Sequence, residues 1–169
     1  LAEQLFKIEE YVNMVLQYLR LDGGNDLVIK TYELDGIVRQ AVRKYAGMFV
    51  RKRLTLNYLP PQTVVLTDEK WLVFVIEQIL SNAIKYSPDN TCTAIHLERD
   101  SDCVNVMITN TMSGQVPANL ERLFDRFYRA DSSRFYNTEG AGLGLSITRS
   151  IIHAHGGELS AEQQGREIV

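Results

Sequence analysis

The segment Gly140-Ala141-Gly142-Leu143-Gly144-Leu145 opens an apolar helical pattern, and far upstream of it runs Glu77-Gln78-Ile79-Leu80-Ser81-Asn82-Ala83-Ile84-Lys85-Tyr86. Glycines at the mouth of a helix let backbone N–H groups approach a phosphate, and the helix dipole favours negative charge there. In the upstream run Gln78, Asn82 and Lys85 stand at i, i+4 and i+7, on one stripe of a helix. An amide oxygen is a hard ligand for Mg²⁺ and an ammonium offsets phosphate charge, so the stripe suits a Mg²⁺–triphosphate. Taken alone, such a stripe is more often a solvated helix face. The glycine segment downstream shifts the balance toward a bound nucleotide.

Neighbouring residues exclude rival phosphate-binding classes. The glycines read Gly-x-Gly-x-Gly, and Phe135-Tyr136-Asn137-Thr138-Glu139 precedes them where a dinucleotide fold needs an apolar strand. The chain has no Gly-x-x-x-x-Gly-Lys-Ser/Thr loop and no His-Arg-Asp catalytic loop.

The elements that must position these groups are set by periodicity. Leu1, Leu5, Ile8, Val12, Val15, Leu16 and Leu19 have the spacing of an amphipathic helix, which Asp22-Gly23-Gly24-Asn25-Asp26 ends as a linker. That helix either packs on the adjoining domain or is half of a helical hairpin or dimer stalk. From Leu27 the pattern is α+β. A short strand over Val28–Glu33 leads to Asp35, which can cap a helix carrying Ile37, Val38, Ala41, Val42, Tyr45 and Phe49. Strands at Leu54–Tyr58 and Thr63–Leu66 are split by Pro60-Pro61. Thr67 or Asp68 then starts a long helix through Tyr86, whose apolar face is Trp71, Leu72, Val75, Ile76, Ile79, Leu80 and Ala83; Ser87-Pro88-Asp89-Asn90 stops it. A hairpin of Thr91–Glu98 with Cys103–Thr109 turns near Asp100-Ser101 and sets Cys103 opposite Glu98. Pro117 opens a short helix through Phe127, and the polar, aperiodic residues 128–139 read as a mobile loop. The glycine helix runs to about His155, and Gly156-Gly157 leads to a last hairpin.

A chain of 169 residues with 45% hydrophobic and 23% charged residues can bury a real core, as one domain with an appendage. Its net charge of −3 argues against nucleic acid as a partner. No apolar run approaches the roughly 20 residues that span a bilayer. The opening at Leu1 within a helical pattern and the stop at Val169 within a strand predict a fragment of a longer protein. Cys92 and Cys103 lack disulfide or metal-ligand spacing and read as reduced thiols of a cytosolic protein. His96, His153 and His155 read as surface or capping residues. Arg122, Arg126 and Arg129, alternating with Glu121, Asp125 and Asp131, read as a solvated ion-paired face.

Four segments, in order, resemble the catalytic ATP-binding domain of a bacterial sensor histidine kinase, a member of the GHKL ATPase superfamily. Glu77–Tyr86 resembles the asparagine box, and Val106–Pro117 stands in the place of the first glycine box. Leu123-Phe124-Asp125-Arg126-Phe127-Tyr128-Arg129 resembles the phenylalanine box, and Gly140–Leu145 with Ser146-Ile147 and His155-Gly156-Gly157 resembles the second glycine box. The resemblance implies a two-layer α/β sandwich (the GHKL or Bergerat ATP-binding fold) over residues 27–169, a mixed sheet with helices on one face. ATP would lie between the long helix and a lid at 128–139. Residues 1–22 would be the second helix of the dimerisation and phosphoacceptor hairpin, with the acceptor histidine upstream of this chain.

For single positions the resemblance implies Asn82 as Mg²⁺ ligand, with Lys85 and Tyr86 on phosphate and on adenine or ribose. It implies Gly140, Gly142 and Gly144 as a backbone cradle, Leu143 and Leu145 packed beneath the nucleotide, and Arg134 as a phosphate contact. Glu77 or Gln78 would orient the acceptor side, and Gln78 is a second candidate metal ligand. A response regulator, a homodimer through the stalk and a membrane-bound parent with this domain in the cytoplasm complete the expectation. The chain departs from the family at Gln78, where asparagine is frequent. It departs more at Asn110-Thr111-Met112-Ser113-Gly114-Gln115-Val116-Pro117, where Asn110 replaces the adenine-reading aspartate with one extra residue before Pro117. A neutral acceptor should bind the adenine amino group less strongly. The alternative left open is a catalytically degenerate nucleotide-binding module that signals through partner binding.

Overall fold

Strand β1 (Lys30–Glu33), helix α1 (Leu34–Lys52) and strands β2 (Thr55–Tyr58) and β3 (Val64–Thr67) precede the long helix α2 (Glu69–Tyr86). The hairpin β4 (Cys92–Arg99) and β5 (Val104–Thr111) comes next, then a 3₁₀ turn at Leu120–Phe124 and helix α3 (Gly144–Ala154). Strands β6 (Gln163–Gln164) and β7 (Glu167–Ile168) end the chain. The structure is a computed structural model that describes Val12, Leu16 and residues 27–112, 116–129 and 142–169. Val12 and Leu16 are helical and exposed; the rest of the expected stalk, residues 1–22, lies outside the described residues. By compactness the chain divides into Leu1–Leu27 with Arg122–Leu159, and Val28–Glu121 with Ser160–Val169.

The larger unit holds a five-stranded sheet in the order β2-β4-β5-β7-β6, with β2 parallel to β4 and the remaining pairs antiparallel. This is the mixed sheet that the resemblance implies. Alternation along β4 buries Thr93, Ile95 and Leu97 and exposes Cys92, His96 and Glu98. The buried face meets Leu34, Val38 and Phe49 of α1 and Leu80, Ala83 and Ile84 of α2, so both helices cover one side of the sheet. A smaller cluster of Ile37, Ala41, Val73 and Ile76 joins the two helices to each other. Strands β1 and β3 form a separate antiparallel pair that the sequence reading did not anticipate.

Local chemistry moved several expected boundaries. Asp35 does not cap α1: the cap position is Glu33, without a side-chain bond, and the Leu34 N–H donates to the Thr63 carbonyl at 2.9 Å. The Asp35 carboxylate accepts instead from Arg39 Nε (2.8 Å) and from the Tyr58 hydroxyl (3.0 Å), fastening the start of α1 to the end of β2. Burial, and then that hydrogen bond, push the Tyr58 phenol above its ordinary pKa. Cys103 faces Asp100 rather than Glu98, because the Asp100 N–H bonds the Cys103 carbonyl (3.0 Å) and Glu98 pairs with Asn105. The Asp100 carboxylate accepts the Ser101 N–H at 2.7 Å and so begins the turn one residue later than expected. The helix expected from Pro117 to Phe127 shrinks to Leu120–Phe124, since the Asn119 side chain takes the Glu121 N–H (3.0 Å) and starts the turn there.

Both ends of α2 are held by charged side chains. At its N-terminus the Asp68 Oδ1 accepts the N–H groups of Lys70 (3.1 Å) and Trp71 (3.4 Å), while Oδ2 accepts the Val28 N–H (2.9 Å). At its C-terminus the Lys52 ammonium donates to the carbonyls of Ile84 (2.8 Å), Lys85 (3.2 Å) and Ser87 (2.5 Å). These are carbonyls that a helix end leaves unpaired, and the cation also opposes the negative end of the dipole. Lys52→Met should therefore lower stability by about 2 kcal/mol, read as a reduced denaturant midpoint with an unchanged slope. A midpoint equal to that of the unsubstituted chain would show that water replaces the ammonium without cost.

Candidate functional site

Helix α2 carries Glu77, Gln78, Asn82, Lys85 and Tyr86, all partly buried. Its broad apolar arc, with Val75, Ile76, Leu80, Ala83 and Ile84 buried, sets the rotation of the helix about its axis. That rotation fixes the direction of the Gln78–Asn82–Lys85 stripe. The Glu77 carboxylate, whose side chain is 13% exposed, is ion-paired with Lys44 of α1 at 2.5 Å. Glu77 is thus tied to the neighbouring helix, while Gln78 and Asn82 bring neutral amides. The Lys85 ammonium lies 5.1 Å from the centroid of the Tyr86 ring, which joins the two residues in a cation–π contact.

Asn110 occupies the sheet, not a loop. It is 7% exposed, paired with Thr93 of β4 on one side and Ile168 of β7 on the other. Its amide nitrogen donates to the Thr111 carbonyl at 3.1 Å and reaches the Met112 sulfur at 4.0 Å. A carbonyl can only accept, so this bond decides which way the amide is turned. The Asn110 oxygen is left as an acceptor, the polarity that an adenine amino group requires. Gly114 of the same segment lies outside the described residues.

The smaller unit holds the other half of the expected constellation. Gly142 has φ +71°, and a Cβ there would come within 2.9 Å of the Phe127 carbonyl carbon and the Tyr128 oxygen. The Phe127 N–H donates to the Gly142 carbonyl at 2.9 Å, and Phe127 itself has φ +63°. The phenylalanine and glycine segments are thus locked backbone to backbone, at a spacing that only glycine permits. Helix α3 starts at Gly144, with no side-chain cap at Leu143 and no acidic residue in its first turn. Ser146, Thr148 and Ser150 turn their hydroxyls back to the carbonyls of Leu143 (2.9 Å), Gly144 (2.9 Å) and Ser146 (3.2 Å). Among the described residues no side chain caps this helix start, so its first-turn N–H groups and the positive end of the dipole suit an anion. Leu143 and Leu145 are partly buried at this mouth.

Other expectations resolve simply. His155 ends α3, its Nδ1 2.8 Å from the Ile151 carbonyl, as a capping residue. Arg122 and Asp125 lie 3.8 Å apart on a surface where both side chains are about 60% exposed. Such a pair contributes roughly 1 kcal/mol at most. Arg134 and Gly140, with residues 130–139 of the expected lid, lie outside the described residues. Among the described residues no helix is long and apolar enough to cross a membrane, and no group of His, Cys, Asp and Glu could hold a metal.

Residues 67–169 match the family described as histidine kinase-, DNA gyrase B-, and HSP90-like ATPases. The chain belongs to this ATPase family. It is 89% identical over 106 residues to a probable sensor protein, PcoS, of Escherichia coli, a match covering 63% of this chain and 23% of that protein. It is 34% identical over 166 residues to the sensor histidine kinase CusS of Escherichia coli O157:H7, covering 97% of this chain and 34% of CusS. The chain thus spans about a quarter to a third of these relatives' length. The histidine kinase AdeS of Acinetobacter baumannii has the same fold, with TM-score 0.82 and 20% identity over 99% of this chain and 77% of that structure.

Within this ATPase chain three features escaped the sequence reading. Lys52 looks like any residue of the basic run Arg51-Lys52-Arg53; the orientation of the Asn110 amide depends on a neighbouring carbonyl; and the Phe127–Gly142 lock joins segments separated in the chain. Only the last left a signal, since a glycine required by its backbone is one a motif preserves. Gly142→Ala should destabilise the chain by about 2 kcal/mol or more, from positive-φ strain plus displacement of Phe127 and Tyr128. An unchanged thermal midpoint would show that the lock is not required.

Proposed function

We propose that this chain is the ATP-binding catalytic part of a sensor histidine kinase, with residues 27–169 as catalytic domain and residues 1–22 as the second helix of the dimerisation hairpin. The observation that carries the proposal is the orientation of Asn110, whose amide nitrogen is tied to Thr111 and whose oxygen is left to accept from an adenine amino group. The family match over residues 67–169 supports it. Asn82 is the first choice for Mg²⁺, with Gln78 second. The fit is chemical: both offer hard neutral oxygens, and Mg²⁺ needs only one or two protein ligands when phosphates supply the rest. Bound there, the ion would neutralise charge on the phosphates.

The chain's own residues act by positioning. Lys85, and in this reading Arg134, would offset phosphate charge, and Tyr86 would lie along adenine or ribose. The N–H groups at Gly140, Gly142 and Gly144 would cradle the phosphates, with Leu143 and Leu145 beneath the nucleotide. Gln78 or Glu77 would orient the acceptor side, and the Lys44 pair restricts how Glu77 can turn. The acceptor imidazole of a histidine outside this chain would attack the γ-phosphorus in line, breaking the bond to the β-phosphate oxygen and releasing ADP. The phosphoryl group would pass to an aspartate of a response regulator. The parent would be a homodimer through its helical stalk, membrane-bound with this domain in the cytoplasm.

One observation favours a second reading. Asn110 supplies a neutral acceptor where a carboxylate would bind more strongly, as suits a non-catalytic nucleotide-binding module. Calorimetric titration with a non-hydrolysable ATP analogue should give saturable, Mg²⁺-dependent binding, weakened at least 10-fold by Asn82→Ala. Phosphotransfer to an added acceptor hairpin separates kinase from module. Absence of binding at millimolar nucleotide would overturn the kinase proposal. Asn110→Asp should tighten ATP several-fold and leave GTP weak; equal affinities for both nucleotides in both proteins would remove Asn110 from base recognition.

A further inference from the structure

Of the basic run Arg51-Lys52-Arg53, the two arginines are exposed and Lys52 is half-buried. An ammonium has three N–H donors and no acceptor. Three carbonyls lie within hydrogen-bond distance of this one, those of Ile84 (2.8 Å), Lys85 (3.2 Å) and Ser87 (2.5 Å). With its donors so engaged, Lys52 is placed to hold backbone, not to reach a phosphate. Its own backbone grips the exit of the same helix. The Lys52 carbonyl accepts the Asn90 N–H (3.0 Å), and the Thr55 N–H donates to the Thr91 carbonyl (3.0 Å). The last turn of α2 and the chain that leaves it are therefore held from one side by the junction of α1 and β2.

That turn is where a helix is weakest. Its final carbonyls have no intrahelical partner, and helix ends fray. In α2 this end carries Lys85 and Tyr86, which the nucleotide-binding reading puts on phosphate and on adenine or ribose. The Lys85 ammonium lies 5.1 Å from the Tyr86 ring centroid, so the directions of the two side chains are linked. We infer that Lys52 is a positioning residue for ligand binding. By holding the carbonyls of Ile84, Lys85 and Ser87, it keeps the last turn wound and Lys85 aimed before any ligand arrives. An ammonium already directed loses less freedom on binding, and that difference appears as affinity. The inference rests on the nucleotide-binding reading above and adds a residue of α1, outside every motif segment of the chain.

The test measures Mg²⁺–ATP affinity for the unsubstituted chain, Lys52→Met, Lys85→Met and the double variant, at a temperature where each is folded. Asp35→Ala, which loses the Tyr58 and Arg39 bonds at the far end of α1, controls for destabilisation alone. Lys52→Met should weaken ATP about 10-fold, the range of one hydrogen bond, while Asp35→Ala leaves it unchanged. On the Lys85→Met background the same change should cost less than about 2-fold, because residues that act through one contact are not additive. Lys52→Gln, whose amide keeps two donors, should fall between, and it replaces the methionine variant in the comparison if that variant does not fold. Unchanged ATP affinity without the ammonium would overturn the inference, as would full additivity with Lys85→Met or an equal loss in Asp35→Ala. Failure of the unsubstituted chain to bind ATP, or of Lys85→Met to weaken it, would instead reject the nucleotide-binding reading of α2 itself.

Discussion

Helix α2 is gripped at its two ends by opposite charges, and the placement of the site residues on it depends on that grip. Asp68 gathers backbone N–H groups at one end and ties them to Val28; Lys52 gathers three carbonyls at the other. A helix end leaves its N–H or carbonyl groups without intrahelical partners, so each grip removes a cost that burial would otherwise impose. Lys52 also comes from α1, so the end of α2 that carries Lys85 and Tyr86 is positioned by another element. The same end then leads through Ser87, whose hydroxyl bonds the Ala83 carbonyl at 2.7 Å, into β4.

The apolar arc of α2 supplies what the grips do not: rotation about the axis. Leu80, Ala83 and Ile84 pack with Ile95, Leu97 and Ile108 of the sheet, and a helix that buries that arc must carry Gln78, Asn82 and Lys85 along a different line. Packing and polar chemistry are therefore coupled in one element. The sheet repeats the logic with period two. Alternation along β4 and β5 that buries Ile95 and Ile108 also carries Thr93 and Asn110 to the same face, where an amide and a hydroxyl interrupt an apolar surface. In the smaller unit the constraint is steric: Gly142 lacks the atom that would collide with Phe127 and Tyr128, and this contact joins two motifs that are apart in sequence.

The parts of the fold legible in sequence were those with strong period or strong punctuation. The extent of α2, its start at Thr67 or Asp68 and its stop at Ser87 came from an apolar stripe between a capping residue and Ser-Pro, and the structure puts the cap at Asp68. The β4–β5 hairpin came from strands flanking a turn, the final hairpin from Gly156-Gly157, and the α+β pattern from the order of elements; the mixed sheet was what the resemblance implied. Asp35 misled because partners elsewhere displaced its local capping role, and Pro117 because a neighbouring side chain started the turn instead. The Asp35 carboxylate found Tyr58 and Arg39, and Asn119 took over the turn after Pro117. The hairpin register slipped by two because an aspartate side chain, not the strand pattern, chose the turn residues.

The sequence alone determined the chemistry available to this protein: which amides and which ammonium group share a helical stripe and which glycines precede a helix, and hence the expectation of a phosphate-bearing ligand. Side-chain type and interval survive any fold, because they are properties of the covalent chain. Tertiary structure alone decided how those groups are turned. The acceptor face of Asn110 depends on the Thr111 carbonyl, and the reach of Glu77 on Lys44 from another helix. Orientation is set by partners distant in the chain, and a hydrogen bond is decided by direction as much as by the atoms that make it.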